Sequence, residues 1–142
     1  MGGLIGTATA EKEGLMPRSL FDDLTKYYNG APKYHRLAMN KNWYSPYSSL
    51  ISASSPLSGF SCIIAITWKS SDYYSAKIIV GSLHNVKLYT GVNPVDNKNE
   101  LWIGLLGNDG DARSMVLKNY CNDITTLSED ILPSYLSEVI IS

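Results

Sequence analysis

The sequence has little cysteine, phenylalanine or histidine, with two residues of each, and neither sign of charge is in excess. Twelve basic residues stand against thirteen acidic ones, so no net field would attract the chain to nucleic acid or to an anionic membrane. The longest apolar runs, such as CIIAI, are far too short to cross a bilayer. The opening MGGLIGTATAEKEG lacks the basic and apolar regions of a secretory signal. We therefore expect a soluble product without its own export signal, which binds no nucleic acid and inserts into no membrane.

The two cysteines, Cys62 and Cys121, show neither a C-x-x-C spacing nor a dense disulfide framework. Two buried or half-buried free thiols in a reducing compartment are the first interpretation. A disulfide is the alternative, because strands that are distant in sequence can be neighbours in a sandwich. A catalytic thiol is not expected, because nothing nearby supplies a base or lowers the pKa of either thiol.

The sequence also contains no recognisable catalytic or metal-binding motif. His35 and His84 belong to no metal-binding pattern, so we expect both to be isolated polar surface residues. The adjacent carboxylates at 22–23 and 129–130 fit the first turns of predicted helices, where negative charge is favoured. We therefore predict no catalytic activity, no metal and no cofactor. A glycan hydrolase stays open as a further hypothesis, because two carboxylates facing each other across a cleft leave no trace in a sequence.

One short helix is predicted near the N-terminus. Pro17 suits a first turn, and Ser19 with Asp22 fits a capping box, so the helix should run for about three turns to Tyr28 and end at Asn29-Gly30. Its apolar stripe consists of Leu20, Phe21, Leu24, Tyr27 and Tyr28. A helix this short is marginal alone in water, so the stripe must pack on its own domain or on the same helix of other chains.

After Pro32 the sequence changes to short β-rich runs separated by Gly, Asn, Asp, Ser and Pro. This pattern predicts a mainly β protein, an antiparallel, jelly-roll-like β-sandwich of about eight strands. Residues 1–30 would form an N-terminal stem or attachment segment, and residues 31–142 a β-sandwich knob domain. The strands are predicted near 34–39, 48–53, 60–68, 74–81, 86–90, 100–106, 113–120 and 135–141.

The alternation of residues predicts which faces of the strands are buried. In FSCIIAITW, one face is formed by Phe60, Cys62, Ile64, Ile66 and Trp68. Ile63 and Ala65 make the opposite face apolar as well, so we expect a central strand covered by the opposite sheet and by a neighbouring subunit. Further inward residues are predicted at Val86, Leu88, Met115 and Leu117.

Two loops carry a local signal. GNDGDA at 107–112 has the positive-φ residues of a hairpin turn between two strands, and it lacks the spacing of an EF-hand calcium loop. TTLSEDILP, which contains Thr126 and Glu129 as a weak capping pair, predicts one helical turn before the last strand.

The aromatic composition is biased towards rings with a polar group, with ten tyrosines and three tryptophans. Such rings suit interfaces and surfaces that stack on sugars. The clusters NWYSPY and SSDYYS fall in predicted loops and supply five candidate receptor-binding residues: Trp43, Tyr44, Tyr47, Tyr73 and Tyr74. The alternative is that these rings fix long loops to the sandwich or pack between subunits.

The stretch TATAEKEGLMPRSLFDDLTKY resembles the recurrent A-T-x-x-x-x-G-L-M-S-x-x-D-x-x-K-L segment of bacteriophage fibre and other virion appendage proteins, which also occurs in prophage proteins. Ala8-Thr9, Gly14-Leu15-Met16 and Lys26 stand near the pattern's positions. The chain departs from the pattern at Pro17, where the pattern usually has Ser, in having Phe-Asp-Asp-Leu in place of Asp-x-x-Lys, and at Tyr27, where the pattern has Leu. The passage ELWIGLLGNDGDARSMVL is similar to a strand, turn and strand near the end of such fibre heads.

The resemblance implies a structural protein of the virion, made in the host cytoplasm, that forms a homotrimeric fibre of the tail or head. The N-terminal segment would contact other virion proteins, and the knob would bind a host surface glycan or protein. In this arrangement Leu20, Leu24 and Tyr28 of three chains would meet around the trimer axis. A monomeric bacterial carbohydrate-binding module, with the helix packed on its own sheet, is the alternative.

Overall fold

The computed structural model describes residues 27–29, 33–40, 46–107, 114–123 and 127–142. Within these ranges the chain forms ten strands in two five-stranded sheets, and all of the strand pairs are antiparallel. The two sheets pack face to face around a shared hydrophobic core. The predicted mainly β class and antiparallel sandwich are therefore confirmed.

The first sheet is a meander extended at one edge by strands from elsewhere in the chain. In spatial order it consists of β1 (Tyr27–Asn29), β8 (Val116–Asn119), β3 (Tyr47–Ser54), β4 (Ser61–Ser70) and β5 (Tyr73–Gly81). The strands β3, β4 and β5 follow one another directly, because short turns suffice to join antiparallel neighbours. Gly59 in the first of these turns has a φ of 79°, a conformation that glycine adopts without steric cost.

The second sheet is built around the hairpin of β6 and β7. In spatial order it consists of β10 (Leu136–Val139), β6 (Val86–Val92), β7 (Asn99–Leu105), β2 (Tyr34–Asn40) and β9 (Ser128–Glu129). Its inner face packs on the first sheet, while its outer face carries a smaller apolar cluster of Tyr89, Trp102 and Leu136.

The main core lies between the sheets, where alternate residues of each strand point inward. Val86, Leu88, Met115 and Leu117 are buried there, which confirms the predicted inward positions. A hydrogen bond also joins the two sheets, because the Trp68 indole Nε1 donates to Thr90 Oγ1 over 2.9 Å.

All eight predicted strands correspond to strands of the structure, whereas β1 and β9 were not predicted. In β4 the predicted inner residues are buried: Cys62, Ile64, Ile66 and Trp68. Phe60 precedes the strand and is exposed, and its ring stacks on His84 with a centroid distance of 4.2 Å. Ile63 and Ala65 are half-buried on the outer face, and their cover by a neighbouring subunit stays a prediction.

The predicted N-terminal helix is not supported where it can be compared with the structure. Tyr27 and Tyr28 lie in strand β1, opposite Lys118 and Leu117 of β8. The expected helix end is wrong there because backbone pairing with a neighbouring strand outweighs a weak local preference. The rest of the predicted helix, including Leu20 and Leu24, lies outside the described residues.

Two loop predictions are also wrong. Strands β7 and β8 belong to different sheets, so the passage through GNDGDA is a crossover between sheets rather than a hairpin, and residues 108–113 themselves lie outside the described ranges. The expected helical turn before the last strand does not form in residues 127–133. Ser128–Glu129 pairs with β2 instead, as an added edge strand.

The histidine prediction fails for His35, which is buried in β2 with its Nδ1 2.9 Å from Ser128 Oγ. Cys62 and Cys121 are both free thiols, as the first interpretation expected, but Cys121 is exposed rather than buried or half-buried. Cys62 is buried, and this burial raises the pKa of its thiol. Within the described ranges, no helix has the length and apolar character needed to traverse a bilayer.

Candidate functional site

An open groove lies at one end of the first sheet, where β3 begins, β4 ends and β5 begins. These three ends coincide because neighbouring strands run in opposite directions. The groove has a volume of about 550 Å³. It is lined by Pro46, Tyr47, Ser48, Thr67, Trp68, Lys69, Asp72, Tyr73, Tyr74 and Ser75.

Three aromatic residues form a row across the strands at this end. Trp68 on β4 lies opposite Tyr47 on β3 and opposite Tyr74 on β5. Directly opposite residues share a face, and adjacent strands are about 4.8 Å apart, so Tyr47 and Tyr74 lie on either side of the buried Trp68. Tyr73, at the start of β5, is 53% exposed, and Tyr74 is 39% exposed. The groove therefore offers tyrosine rings on a rigid strand framework.

Tyr47 is held in place by hydrogen bonds beneath the groove. Asn119 Nδ2 donates to the Tyr47 hydroxyl over 3.0 Å. The Asn119 Oδ1 atom accepts in turn from the Ser49 hydroxyl and from the backbone N–H of Asn122. Burial is the main cause that raises the pKa of Tyr47. Tyr47 thus has a packing role, as the alternative interpretation of these rings proposed, and only part of it faces the groove.

The groove contains one charge of each sign, because Lys69 and Asp72 are both exposed in its lining. Asp72 is the only carboxylate among the lining residues that the structure describes. Glycoside hydrolysis generally uses two carboxylates across a cleft, and the described lining of this groove contains one. Within the described ranges there is also no group of three or more side chains that could hold a metal ion.

The structure brings three of the five predicted receptor-binding residues together, namely Tyr47, Tyr73 and Tyr74. They are strand residues rather than loop residues, so the expected loop location is wrong for Tyr47 and Tyr73, while Tyr74 lies within the predicted strand at 74–81. Trp43 and Tyr44 lie outside the described residues. Of the predicted trimerisation residues, Leu20 and Leu24 lie outside them too, while Tyr28 belongs to strand β1.

The sequence did not reveal the groove itself, nor the participation of Lys69 and Asp72. Ser71-Asp72 between two β-rich runs is a recognisable turn signal, but it gives no sign that the turn borders a site. Trp68 is predicted as a core residue, which it is. The sequence gives no sign that Tyr47 and Tyr74 are its neighbours on the adjacent strands.

A second polar cluster surrounds Glu100, on the outer face of the second sheet. This carboxylate is fully buried and accepts hydrogen bonds from the Tyr135 hydroxyl at 2.6 Å and from Trp102 Nε1 at 2.9 Å. Asn93 Nδ2 donates over 3.2 Å, and Arg36 Nη1 forms an ion pair over 3.4 Å. The pKa of Tyr135 is raised well above its usual value, mainly by desolvation and secondly by the hydrogen bond to Glu100. Because four donors surround the carboxylate, we interpret this cluster as a structural attachment of residues 132–136 to the sheet.

Fold and site together define a mainly β domain with a tyrosine-lined groove at one end of a sheet. Comparisons of the chain with family models, with curated proteins and with solved structures gave no match.

Proposed function

We propose that the chain is a non-catalytic binding component of a phage or prophage virion appendage, a trimeric fibre whose knob binds a glycan on the host surface. The observation that carries this proposal is the groove, in which Tyr73 and Tyr74 present partly exposed rings beside Lys69 and Asp72. Aromatic rings with a few polar groups around them are the usual surroundings of a bound sugar or small ligand.

The N-terminal segment supports the virion part of the proposal through its resemblance to fibre proteins. In this arrangement the segment before β1 forms the stem that contacts other virion proteins, and the jelly-roll-like sandwich, in which Tyr27–Asn29 is an edge strand, forms the knob. The site of action is the assembled virion. A monomeric bacterial carbohydrate-binding module would use the same groove, and it differs from the first proposal in its oligomeric state.

Binding at the groove can be tested with Tyr73→Ala. We expect affinity for a glycan selected on an array of bacterial surface glycans to fall about three- to tenfold, because the variant loses one stacking ring. Isothermal titration calorimetry with the selected glycan measures the change. Tyr73 is 53% exposed, so its removal should leave the melting temperature nearly unchanged.

Phe60→Ala is the matched control, because Phe60 is a 45% exposed aromatic residue at the opposite end of β4. It should leave glycan affinity unchanged. Equal losses of affinity in the two variants, or no bound glycan at all, would contradict binding at the groove. Release of reducing sugar during the titration would contradict the non-catalytic part of the proposal.

A further inference from the structure

The strands of the first sheet carry three positive charges and no negative one. Lys69 lies in β4, Lys77 in β5 and Lys118 in β8, and none of the five strands contains an Asp or a Glu. The strands of the second sheet are mixed, with two basic and three acidic residues: Arg36, Lys87, Glu100, Glu129 and Glu138. The near-zero net charge of the chain therefore conceals an uneven distribution between its two sheets.

Strand register places the three lysines on the same side of the first sheet. Lys77 lies opposite Ala65, which is on the outer face of β4. Lys69 is four residues further along β4, about 13 Å from the level of Lys77, and it continues the alternation of buried and outward residues in that strand, although the pairing with β5 shifts register beside it. Lys118 lies opposite Ser52 of β3, which itself lies opposite Ile63 on that outer face. All three amines thus belong to the face that turns away from the core.

Between the lysines this face presents hydroxyl groups and small apolar side chains. A second cavity of about 350 Å³ lies on it, lined in part by Leu50, Ala65 and Lys77. Ser48, Thr67 and Ser75 line both this cavity and the tyrosine groove. The groove and this cavity therefore meet at these three residues, whereas Tyr47 and Tyr74 share the face of Trp68, on the core side of the sheet.

We propose that the outer face of the first sheet extends the groove into a binding site for an acidic glycan, a sugar chain that carries carboxylate or phosphate groups. This inference rests on the proposed function, since it names the class of glycan that the same site takes. The lysines complement the anionic groups, the serine and threonine hydroxyls can bond sugar hydroxyls, and Leu50 with Ala65 can contact the apolar faces of sugar rings.

Two other occupants fit the charges less well. Packing of a second copy of the chain on this face, the cover expected above for Ile63 and Ala65, would bury the three lysines without a carboxylate in any of the strands concerned. A nucleic acid would gain little from three amines, because nucleic-acid affinity depends on many phosphate contacts and the chain as a whole has a net charge of −1.

The test compares oligogalacturonate with its methyl ester, and then an array of neutral and acidic glycans, on the full chain. Lys77→Gln and Lys118→Gln should each weaken binding of the acidic glycan about two- to fivefold, the range for exposed charge pairs. Lys87→Gln is the control, because it removes the same charge from an exposed position on the second sheet. Asp72→Asn should strengthen binding, because it removes the only carboxylate from the described groove lining.

The inference is supported if the chain prefers acidic glycans, if Lys77→Gln and Lys118→Gln weaken binding, and if Lys87→Gln leaves it unchanged. Equal binding of neutral and acidic glycans overturns it and leaves the proposed function intact. The inference is also overturned if a DNA oligonucleotide binds as tightly as the acidic glycan. It is overturned likewise if the chain self-associates and Lys77→Gln strengthens this self-association. Binding of no glycan overturns the proposed function itself.

Discussion

At the scale of single residues, Glu100 illustrates how a buried charge is accommodated. Burial of an unpaired carboxylate is strongly unfavourable, whereas a carboxylate surrounded by donors is tolerated. Glu100 receives its donors from three parts of the chain: β2, the β6–β7 turn with β7, and the segment before β10. The cluster therefore joins elements that are far apart in the sequence.

Tyr135→Phe tests this attachment at its shortest hydrogen bond. We expect the free energy of unfolding at pH 7 to fall by about 1.5–3 kcal/mol, because a buried charged acceptor loses a donor. Urea denaturation measures the change. Tyr74→Phe is the control, since the Tyr74 side chain is 39% exposed and water can replace its hydroxyl contacts. Equal losses in the free energy of unfolding in the two variants would show that the hydrogen bond to Glu100 stabilises the fold no more than an exposed tyrosine hydroxyl does.

The same tyrosine gives a prediction for alkaline pH. Desolvation raises the pKa of Tyr89 from its usual 10.0 to about 12, and the pKa of Tyr135 is also raised. Unfolded tyrosines ionise near pH 10, so their contribution to folding is complete below that pH and is lost as the pH rises through the folded pKa values. Between pH 10 and 12 the free energy of unfolding should therefore fall as the pH rises. The fall should be shallower in Tyr135→Phe, and identical slopes in the two proteins would contradict the assignment.

At the scale of strands, close backbone approach decides where β10 can pair. Gly91 in β6 lies opposite Leu136, and a Cβ atom at this glycine would lie 2.1 Å from the Tyr135 carbonyl oxygen. No side chain fits this position unless the backbone moves. The glycine thus allows the segment that carries Tyr135 to approach the sheet.

Gly91→Ala should therefore loosen β10 from β6. We expect a loss of about 1–3 kcal/mol in the free energy of unfolding, the usual range for overpacking. Hydrogen exchange should become faster in β10 than in β3 or β4, where the backbone is not displaced. Val92→Ala, at the exposed neighbouring position, is the control and should change stability by less than about 0.5 kcal/mol. Unchanged exchange in β10 would contradict the steric explanation.

At the scale of the whole molecule, the two sheets differ in what they leave on the surface. The outer face of the second sheet is covered in part by residues 127–136, which pack on Tyr89 and Trp102. The outer face of the first sheet carries half-buried Ile63 and Ala65 among serines and lysines. The outer face of the first sheet therefore offers a ligand or a neighbouring chain a partly apolar surface.

The oligomeric state separates the fibre proposal from the carbohydrate-binding module. Light scattering of the purified chain should give three times the mass of one chain. Leu20→Asp combined with Leu24→Asp should weaken association more than Lys26→Ala, because only the leucines belong to the predicted apolar stripe. A monomer at every concentration would favour the carbohydrate-binding module and would contradict the trimer.

The alternation of apolar residues was sufficient to predict eight strands and much of the core. Cys62, Ile64, Ile66 and Trp68 alternate in β4, and burial follows that alternation because side chains of a strand point to opposite faces in turn. The composition and clustering of aromatic residues singled out Tyr47, Tyr73 and Tyr74. These residues meet in one groove because β3, β4 and β5 pair in antiparallel order.

Other features depended on contacts between distant parts of the chain. Tyr27–Asn29 and Ser128–Glu129 are too short to carry a strand signal and are strands only because β8 and β2 offer backbone partners. The passage after β7 resembles a hairpin, yet β8 pairs with β3 in the other sheet. His35 and Glu100 read as ordinary polar residues, and their burial depends on Ser128 and Tyr135, more than 30 residues away. The sequence by itself thus determined the class of fold and most of the strands, because alternation is local. Only the tertiary structure decided strand partners, buried polar residues and the groove, because each depends on backbone and side-chain partners that local sequence does not specify.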